Sequence, residues 1–314
     1  MNKNITVEVP GRICLMGDKV DLLGKPVIGM AINLMMRINY EEKNDSTIEF
    51  FSHNTKEKVV FDKDDIPPKN IDLAYWSVLY ERLRKYIKKG FYMSVDSDIP
   101  IGAGLSTSAA LSIGFIKALN QAHKLNFTKA EIAELAFLGE NHDLEIMCGR
   151  LDQYTETYGG IVFIHTDESP SVENLDVKEM PIVVGDTLEE RKASSILNRI
   201  KKQIRKRDPT TLNAFKIIEN CVYEAKDALL NEDFKKLGKL MNTQQQQEGI
   251  LKADTKKIID LCNAAKDAGA FGAKQMGAGG GGCIVAIAPN KQKEVAQAIE
   301  DAGGKAWIFD IYCY

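Results

Sequence analysis

Residues Ile99 to Leu111 read IPIGAGLSTSAAL, and this passage constrains the fold more than any other. An alternating strand pattern, YMSVDSDI, stops at two glycines and three hydroxyl residues and gives way to small helix formers. A strand feeding a glycine-rich turn that opens a helix makes an anion site, because the first helical N–H groups lack intrahelical partners and the helix dipole is positive there. Gly102 and Gly104 let backbone approach a ligand where a Cβ would obstruct it. Ala103 and Leu105 lie between and beside them, and Ser106, Thr107 and Ser108 add hydroxyls for a phosphate or an oxygen ligand for magnesium. A polyphosphate is the expected occupant. The plainer reading, a strand-to-helix turn with Ser or Thr as an ordinary N-cap, stands beside it on this stretch alone. The pattern is neither Walker A, since no GKS or GKT follows, nor the dinucleotide GxGxxG.

A second glycine cradle follows far along the chain. Gln275 to Ala286 reads QMGAGGGGCIVA, a glycine density that is entropically expensive to fold and implies close backbone approach to a ligand or to another loop. Gly279 sits at its centre. Two cradles in one chain point to a bound nucleotide rather than to a lone phosphate.

The chain is 314 residues long with a formal net charge of -3. That length predicts two domains or one large two-lobed unit, and the charge gives no electrostatic case for nucleic acid as a partner. The one basic run, KKQIRKRD from Lys201 to Asp208, reads as a solvated helix face leading into a loop. The six cysteines show no CxxC pair and no zinc spacing, so reduced thiols in a cytoplasm are expected. No signal-peptide pattern opens the sequence, no apolar run approaches membrane-spanning length, and the four histidines form no HExxH.

Strand-like segments dominate the start: ITVEV, GRICLMG, PVIGMAI, MRINYEE, TIEFFS and VVFD. Helices are predicted over Ala74 to Lys89, about Ser108 to His123, and from Thr128, where Thr128 and Glu131 fit a capping box. From about Asn213 helices prevail until the strand GCIVAIAP, a helix near Gln292 to Ala302 and a last strand KAWIFDIY. This order predicts an α+β fold, with domains at 1–170 and 171–314.

Carboxylates supply the remaining chemistry. In the capped helix, Ile132, Leu135, Ala136 and Gly139 trace an inward stripe, and Glu140 falls on the same face. An inward acid needs a partner, and magnesium on phosphates is one; a salt bridge or a helix-end carboxylate reaching solvent is the alternative. Asp152, in CGRLDQYTETYGG, is a candidate general base for a substrate hydroxyl. Arg12, in PGRICLMG, is a charge within an apolar strand; lying against Asp152 it would keep that carboxylate ionised and help neutralise a transferring phosphoryl group, and otherwise each is a lone charge at a strand end.

These blocks together resemble the GHMP kinases. PGRICLMGDKVDLLGKPVI resembles the family's first motif, IPIGAGLSTSAAL its phosphate loop and KQMGAGGGGCIVA its third motif, in the family's order and over nearly the whole chain. The resemblance implies an N-terminal domain like the ribosomal protein S5 second domain, a ferredoxin-like C-terminal domain, and ATP with Mg2+ as cofactors. It makes Ser108 and Glu140 the magnesium ligands and Asp152 the catalytic aspartate.

For the acceptor, CGRLDQ resembles the CGxxDQ block of galactokinase-like sugar kinases, which implies a sugar or sugar derivative phosphorylated at its anomeric hydroxyl. GDKVDLLG then stands where those kinases carry GEHxDYxG, so Asp18, Lys19 and Asp21 are expected to meet the substrate, with Gly149, Thr187 and Arg191 near it. Lys19 replaces the family's histidine; it either pairs with a charged substrate or bridges Asp18 or Asp21. The alternatives are a mevalonate kinase, which usually carries lysine where this chain has Arg12 and lacks the aspartate-glutamine pair, a related decarboxylase, and a non-catalytic sensor of sugar and ATP. The resemblance leaves monomer and homodimer open.

Overall fold

The protein is described from a computed structural model covering residues 3–69, 71–190 and 193–314. Its backbone separates into two compact units: Met1–Gly11 with Leu34–Pro100 and Ser106–Tyr158, and Arg12–Asn33 with Ile101–Leu105 and Gly159–Tyr314.

The first unit takes the start of β1 (Asn4–Met16), the later half of β2 (Val27–Glu42), β3 (Thr47–Ser52), β4 (Lys58–Asp62), α1 (Ala74–Leu83), β5 (Phe91–Ser97), α2 (Thr107–His123), α3 (Lys129–Leu138) and α4 (Leu151–Tyr158). ITVEV and GRICLMG form one strand rather than two, because Pro10 removes a ladder donor yet keeps φ in the extended range. PVIGMAI and MRINYEE likewise run on as the single strand β2.

In this unit β5 pairs antiparallel with β2 from Met36 to Glu42 and parallel with β3, which pairs antiparallel with β4. Alternation in β3 sends Ile48 and Phe50 inward, where Phe50 meets Trp76 of α1, Phe91 of β5 and Phe115 of α2. The edge-to-face contacts of Phe50 with Trp76 and Phe115 orient α1 and α2 on the sheet. Gly114 lets α2 approach closely, since a Cβ there would lie 2.4 Å from Ile38 Cγ1. The helix predicted from Ser108 thus begins at Thr107, and Thr128 and Glu131 form the expected reciprocal cap at α3.

The second unit continues with β6 (Ile161–His165), β7 (Ser171–Leu175), β8 (Ile182–Asp186), α5 (Ala193–Arg205), α6 (Pro209–Leu230), α7 (Phe234–Ile250), α8 (Lys256–Asp267), β9 (Gly272–Gln275), β10 (Cys283–Ile287), α9 (Gln292–Asp301) and β11 (Lys305–Trp307). Val27 to Met30 of β2 pair with β6, and β6 with β7. The last four strands form a sheet in the order β11-β8-β10-β9, every neighbour antiparallel, which is the ferredoxin-like arrangement. Ile258 and Leu261 of α8 and Val295 and Ile299 of α9 bury against Val183, Ile284 and Ala286 of that sheet.

The predicted terminal strand is shorter than KAWIFDIY. Its pairing with β8 ends at Trp307, and Ile311 makes only an isolated bridge to Ile32. The basic run belongs to α5 and the turn after it, with Asp208 capping α6 through the Thr211 N–H. All six cysteines are free thiols, and no helix among the described residues is long and apolar enough to cross a membrane.

Candidate active site

In the first unit the chemistry gathers at the start of α2. Ser106, the residue before the helix, has a left-handed backbone (φ 72°) and makes no side-chain cap. Its Oγ instead donates to Asp152 Oδ2 at 3.0 Å, so the ordinary N-cap reading fails here. Asp152 lies in the first turn of α4, where the helix dipole favours its negative charge. That helix is braced against α3: Arg150 grips Glu134 with two hydrogen bonds (2.8 and 2.9 Å), and the Tyr154 hydroxyl donates to the same carboxylate at 2.8 Å.

Ser108, one residue inside α2, donates from Oγ to Glu140 Oε1 at 3.3 Å. Glu140 is carried by a single π turn, Gly139–Asp143, that continues from α3. A π turn shifts the register of side chains and recurs at functional sites. Here it leaves Glu140 only 7% exposed, with Gln153 Nε2 donating to its Oε2 at 2.9 Å. Burial and the nearby Glu140 charge push the pKa of the Tyr75 hydroxyl, which shares a hydrogen bond with Ser108, up to about 12. Thr107 spends its hydroxyl on the Pro100 carbonyl (3.3 Å), and Gly149 is half-buried just before α4.

Ser108 and Glu140 present the hard oxygens that Mg2+ takes. Among the described residues no group of three or more His, Cys, Asp and Glu side chains could hold a metal. The donor set fits an ion that draws one or two ligands from protein and the rest from phosphate and water.

In the second unit, Gly102 (φ 81°) and Gly104 (φ 85°) shape the loop that precedes α2. Three successive carbonyls are turned into protein: Ala103 accepts from Cys283 Sγ (2.9 Å), Gly104 from Arg12 Nη1 (2.7 Å) and Leu105 from the Arg12 N–H (3.2 Å). A loop that hides its carbonyls suits an anion, because the acceptors that would repel it already face other donors. A Cβ at Gly102 would meet nothing within 4 Å.

Gly279 behaves differently. Its close approach is to the chain itself, a Cβ there lying 2.1 Å from the Ala253 carbonyl oxygen, while Gly280 donates its N–H to that same oxygen at 2.7 Å. Gly279→Ala is therefore expected to cost more than about 2 kcal/mol of stability, and Gly102→Ala only about 1 kcal/mol of backbone strain. Urea unfolding of the two variants checks the contrast.

Asp18 and Lys19 are 1% and 5% exposed, and their polar atoms are committed internally. Asp18 pairs with Lys274 and accepts from Gln244 Nε2 (2.7 Å) and the Gly277 N–H. Burial alone would raise its pKa, but Lys274 and Lys19 outweigh that and hold it below the ordinary carboxylate range. Lys19 bridges neither Asp18 nor Asp21; its Nζ pairs with Glu248 Oε2 at 2.7 Å and donates to the Gly277 carbonyl at 2.7 Å. Asp21 is half-buried in a 3-10 turn, Val20–Leu23. Thr187 gives its N–H and its hydroxyl to the Gly282 carbonyl (3.0 and 2.8 Å), and Arg191 lies outside the described residues.

Sequence reasoning missed Lys274, Glu248 and Gln244, and read Gln153 only as part of the CGxxDQ block. The available signals were a lysine beside a glycine run and Gln244 with Glu248 at i, i+4 on one helix face.

Comparison with known proteins adds a family. Residues 73–160 match the model described as the GHMP kinases N terminal domain, and residues 225–306 the GHMP kinases C terminal model. The mevalonate kinase of Pyrococcus furiosus is 32% identical over 98% of this chain and 96% of its own length. The galactokinase of the same organism is 29% identical over 95% of this chain and 92% of its own. The crystal structure of Methanococcus jannaschii mevalonate kinase superposes with a TM-score of 0.82 at 24% identity, covering 99% of both chains.

Proposed function

The chain belongs to the GHMP kinases, phosphotransferases that use ATP with Mg2+ and an alcohol acceptor, and from that premise we propose that its acceptor is mevalonate. The observation that carries the choice is the closed first motif: Asp18 and Lys19, the groups a sugar was expected to meet, spend their charges on Lys274 and Glu248. The higher identity to a mevalonate kinase than to a galactokinase supports the same choice.

In this reading Asp152 takes the proton from the acceptor hydroxyl as its oxygen attacks the γ-phosphorus and the bond to the ADP oxygen breaks. Ser106 holds Oδ2 of that carboxylate in place. Arg12 supplies fixed positive charge toward the transferring group, and Gly102 to Ser108 receive the phosphates. Mg2+, when bound, adds charge neutralisation on the phosphate oxygens, and Ser108 with Glu140 would hold it. By family motif we assign residues 1–170 to the N-terminal domain that carries the phosphate loop and 171–314 to the C-terminal domain, a division that differs from the two compact units, where Ile101–Leu105 goes with Gly159–Tyr314, and we place the enzyme in the cytoplasm.

A sugar is the second reading, favoured by one observation: Asp152 is followed by Gln153, as in the CGxxDQ block, and the Gln153 amide grips Glu140. ADP release with MgATP across mevalonate, galactose, glucuronate, galacturonate, arabinose and heptoses decides between them. Turnover with mevalonate alone is expected, and turnover confined to one sugar selects the second reading.

A further inference from the structure

The sequence shows a run of four glutamines, Gln244 to Gln247, followed by Glu248. They occupy the last turns of α7, and α7 is seated on β9 by two glycines. A Cβ on Gly272 would lie 1.9 Å from the Gly238 carbonyl oxygen, so only a glycine there allows this approach. The seating brings a polar helix face down onto Lys274 and Gln275, both fully buried.

The hydrogen bonds made there tie the first motif, β9 and the glycine loop to one another and to α7. Gln244 accepts the Gly17 N–H at 3.0 Å and donates to Asp18. Gln245 accepts the Gln275 N–H at 2.7 Å, and Gln275 donates from Nε2 to Glu248 Oε2 at 3.2 Å. Lys274 pairs with Asp18 and donates to the Cys14 (3.1 Å) and Gln275 (3.0 Å) carbonyls. Lys19 pairs with Glu248. Two cationic and two carboxyl side chains meet here, none of the four more than 2% exposed; burial pushes the Glu248 carboxyl upward, and Lys19 beside it opposes that shift.

The network converges on one residue. Gly277, which opens the glycine run with φ 72°, gives its N–H to Asp18 and accepts from Lys19 at its carbonyl. The far end of the run, Gly282, is held by Thr187. A run this rich in glycine has much conformational freedom to lose, and fixing both ends removes most of it. Stability alone does not call for buried ion pairs, since well-packed apolar residues of similar volume serve as well or better. What ion pairs add at this place is a defined position for the Gly277 peptide groups.

We propose that Glu248, acting through Lys19, is a positioning residue that fixes the glycine loop Gly277–Gly282 in its nucleotide-receiving shape. This rests on the reading that the loop meets ATP. Glu248 neutralises the Lys19 ammonium and aims it at the Gly277 carbonyl. The glutamine-rich turns of α7 are thereby part of the nucleotide-binding machinery without touching the nucleotide.

The test uses the full-length protein, with MgADP as the probe in calorimetry beside KM for ATP, kcat and the urea midpoint. Glu248→Gln is expected to raise the Kd for MgADP and the KM for ATP about 10-fold or more, with kcat changed by less than about 3-fold. The paired variant Lys19→Met with Glu248→Met removes both charges at similar volume and covers the case where the single variant folds poorly. It is expected to return the urea midpoint toward wild type while nucleotide affinity stays about 10-fold low, because the bond to the Gly277 carbonyl is gone. Affinity restored together with stability would overturn the proposal and leave a purely structural network. No MgADP binding by the wild type would overturn the parent nucleotide reading instead.

Discussion

Asp152→Asn is expected to lower kcat about 1000-fold while the affinity for MgATP changes by less than about 3-fold. Asparagine keeps the size of the side chain and an oxygen to accept the Ser106 hydroxyl, so the start of α4 and its brace of Arg150, Glu134 and Tyr154 are undisturbed. What disappears is the capacity to accept a proton from the acceptor hydroxyl. A base that acts only in the transition state is lost from kcat and kcat/KM alike, with nucleotide binding left intact. Steady-state kinetics beside calorimetry separates the two, and unchanged turnover would remove Asp152 from the role of base.

Lys274→Met is expected to cost about 3–5 kcal/mol of stability, the cost of stranding one partner of a buried ion pair. The variant loses the pair to Asp18 and donations to two carbonyls, and it leaves the Asp18 carboxylate with Lys19 as the cation that still acts on it. The pH dependence follows by sign. In the wild type Asp18 is held below the ordinary carboxylate range, so its contribution is present above about pH 4 and is lost as pH falls through that lowered value. Without Lys274, burial dominates and moves the Asp18 pKa upward. The buried carboxyl is then tolerated when protonated and costly when ionised, so the deficit of the variant shrinks as pH falls from 8 toward 5. Urea titrations at the two pH values check this, and adding Asp18→Asn to Lys274→Met should recover part of the loss at pH 8. A deficit independent of pH would show that Asp18 is not the stranded group.

Much of this architecture was legible in the sequence because its signals are local. The Thr128 and Glu131 cap, the strand-to-helix passage at Gly102 to Ser108 and the inward stripe ending in Glu140 each depend on residues a few positions apart. The segments split at Pro10 and near Asn33 were misjudged because turn-forming residues do not end a strand that its neighbours continue to pair. The acceptor proved harder. Asp18 and Lys19 are expected at a substrate because GDKVDLLG stands where galactokinase-like kinases carry GEHxDYxG, and such a motif match says nothing of what lies across from the two residues. Their partners, Lys274 and Glu248, are more than two hundred residues away in sequence. Only the seating of α7 on β9, through Gly238 and Gly272, puts the four charges together.

Gln153 illustrates the same limit at shorter range. In the sequence it counts only as part of the CGxxDQ block, yet its amide is what faces Glu140, and a carboxylate accepting from it leaves Oε1 turned to Ser108. The π turn that carries Glu140 has no sequence signature, and it decides which face of α3 the carboxylate follows.

The central claim is transfer of a phosphoryl group from ATP to the hydroxyl of mevalonate. It is tested most directly by incubating the enzyme with MgATP and an equimolar mixture of mevalonate and the sugars above, and following phosphorus NMR. The expected result is one new phosphomonoester on the primary hydroxyl of mevalonate, formed in step with ADP and absent with Asp152→Asn. An anomeric sugar phosphate with mevalonate untouched would contradict the account and return the closed first motif to a purely structural role.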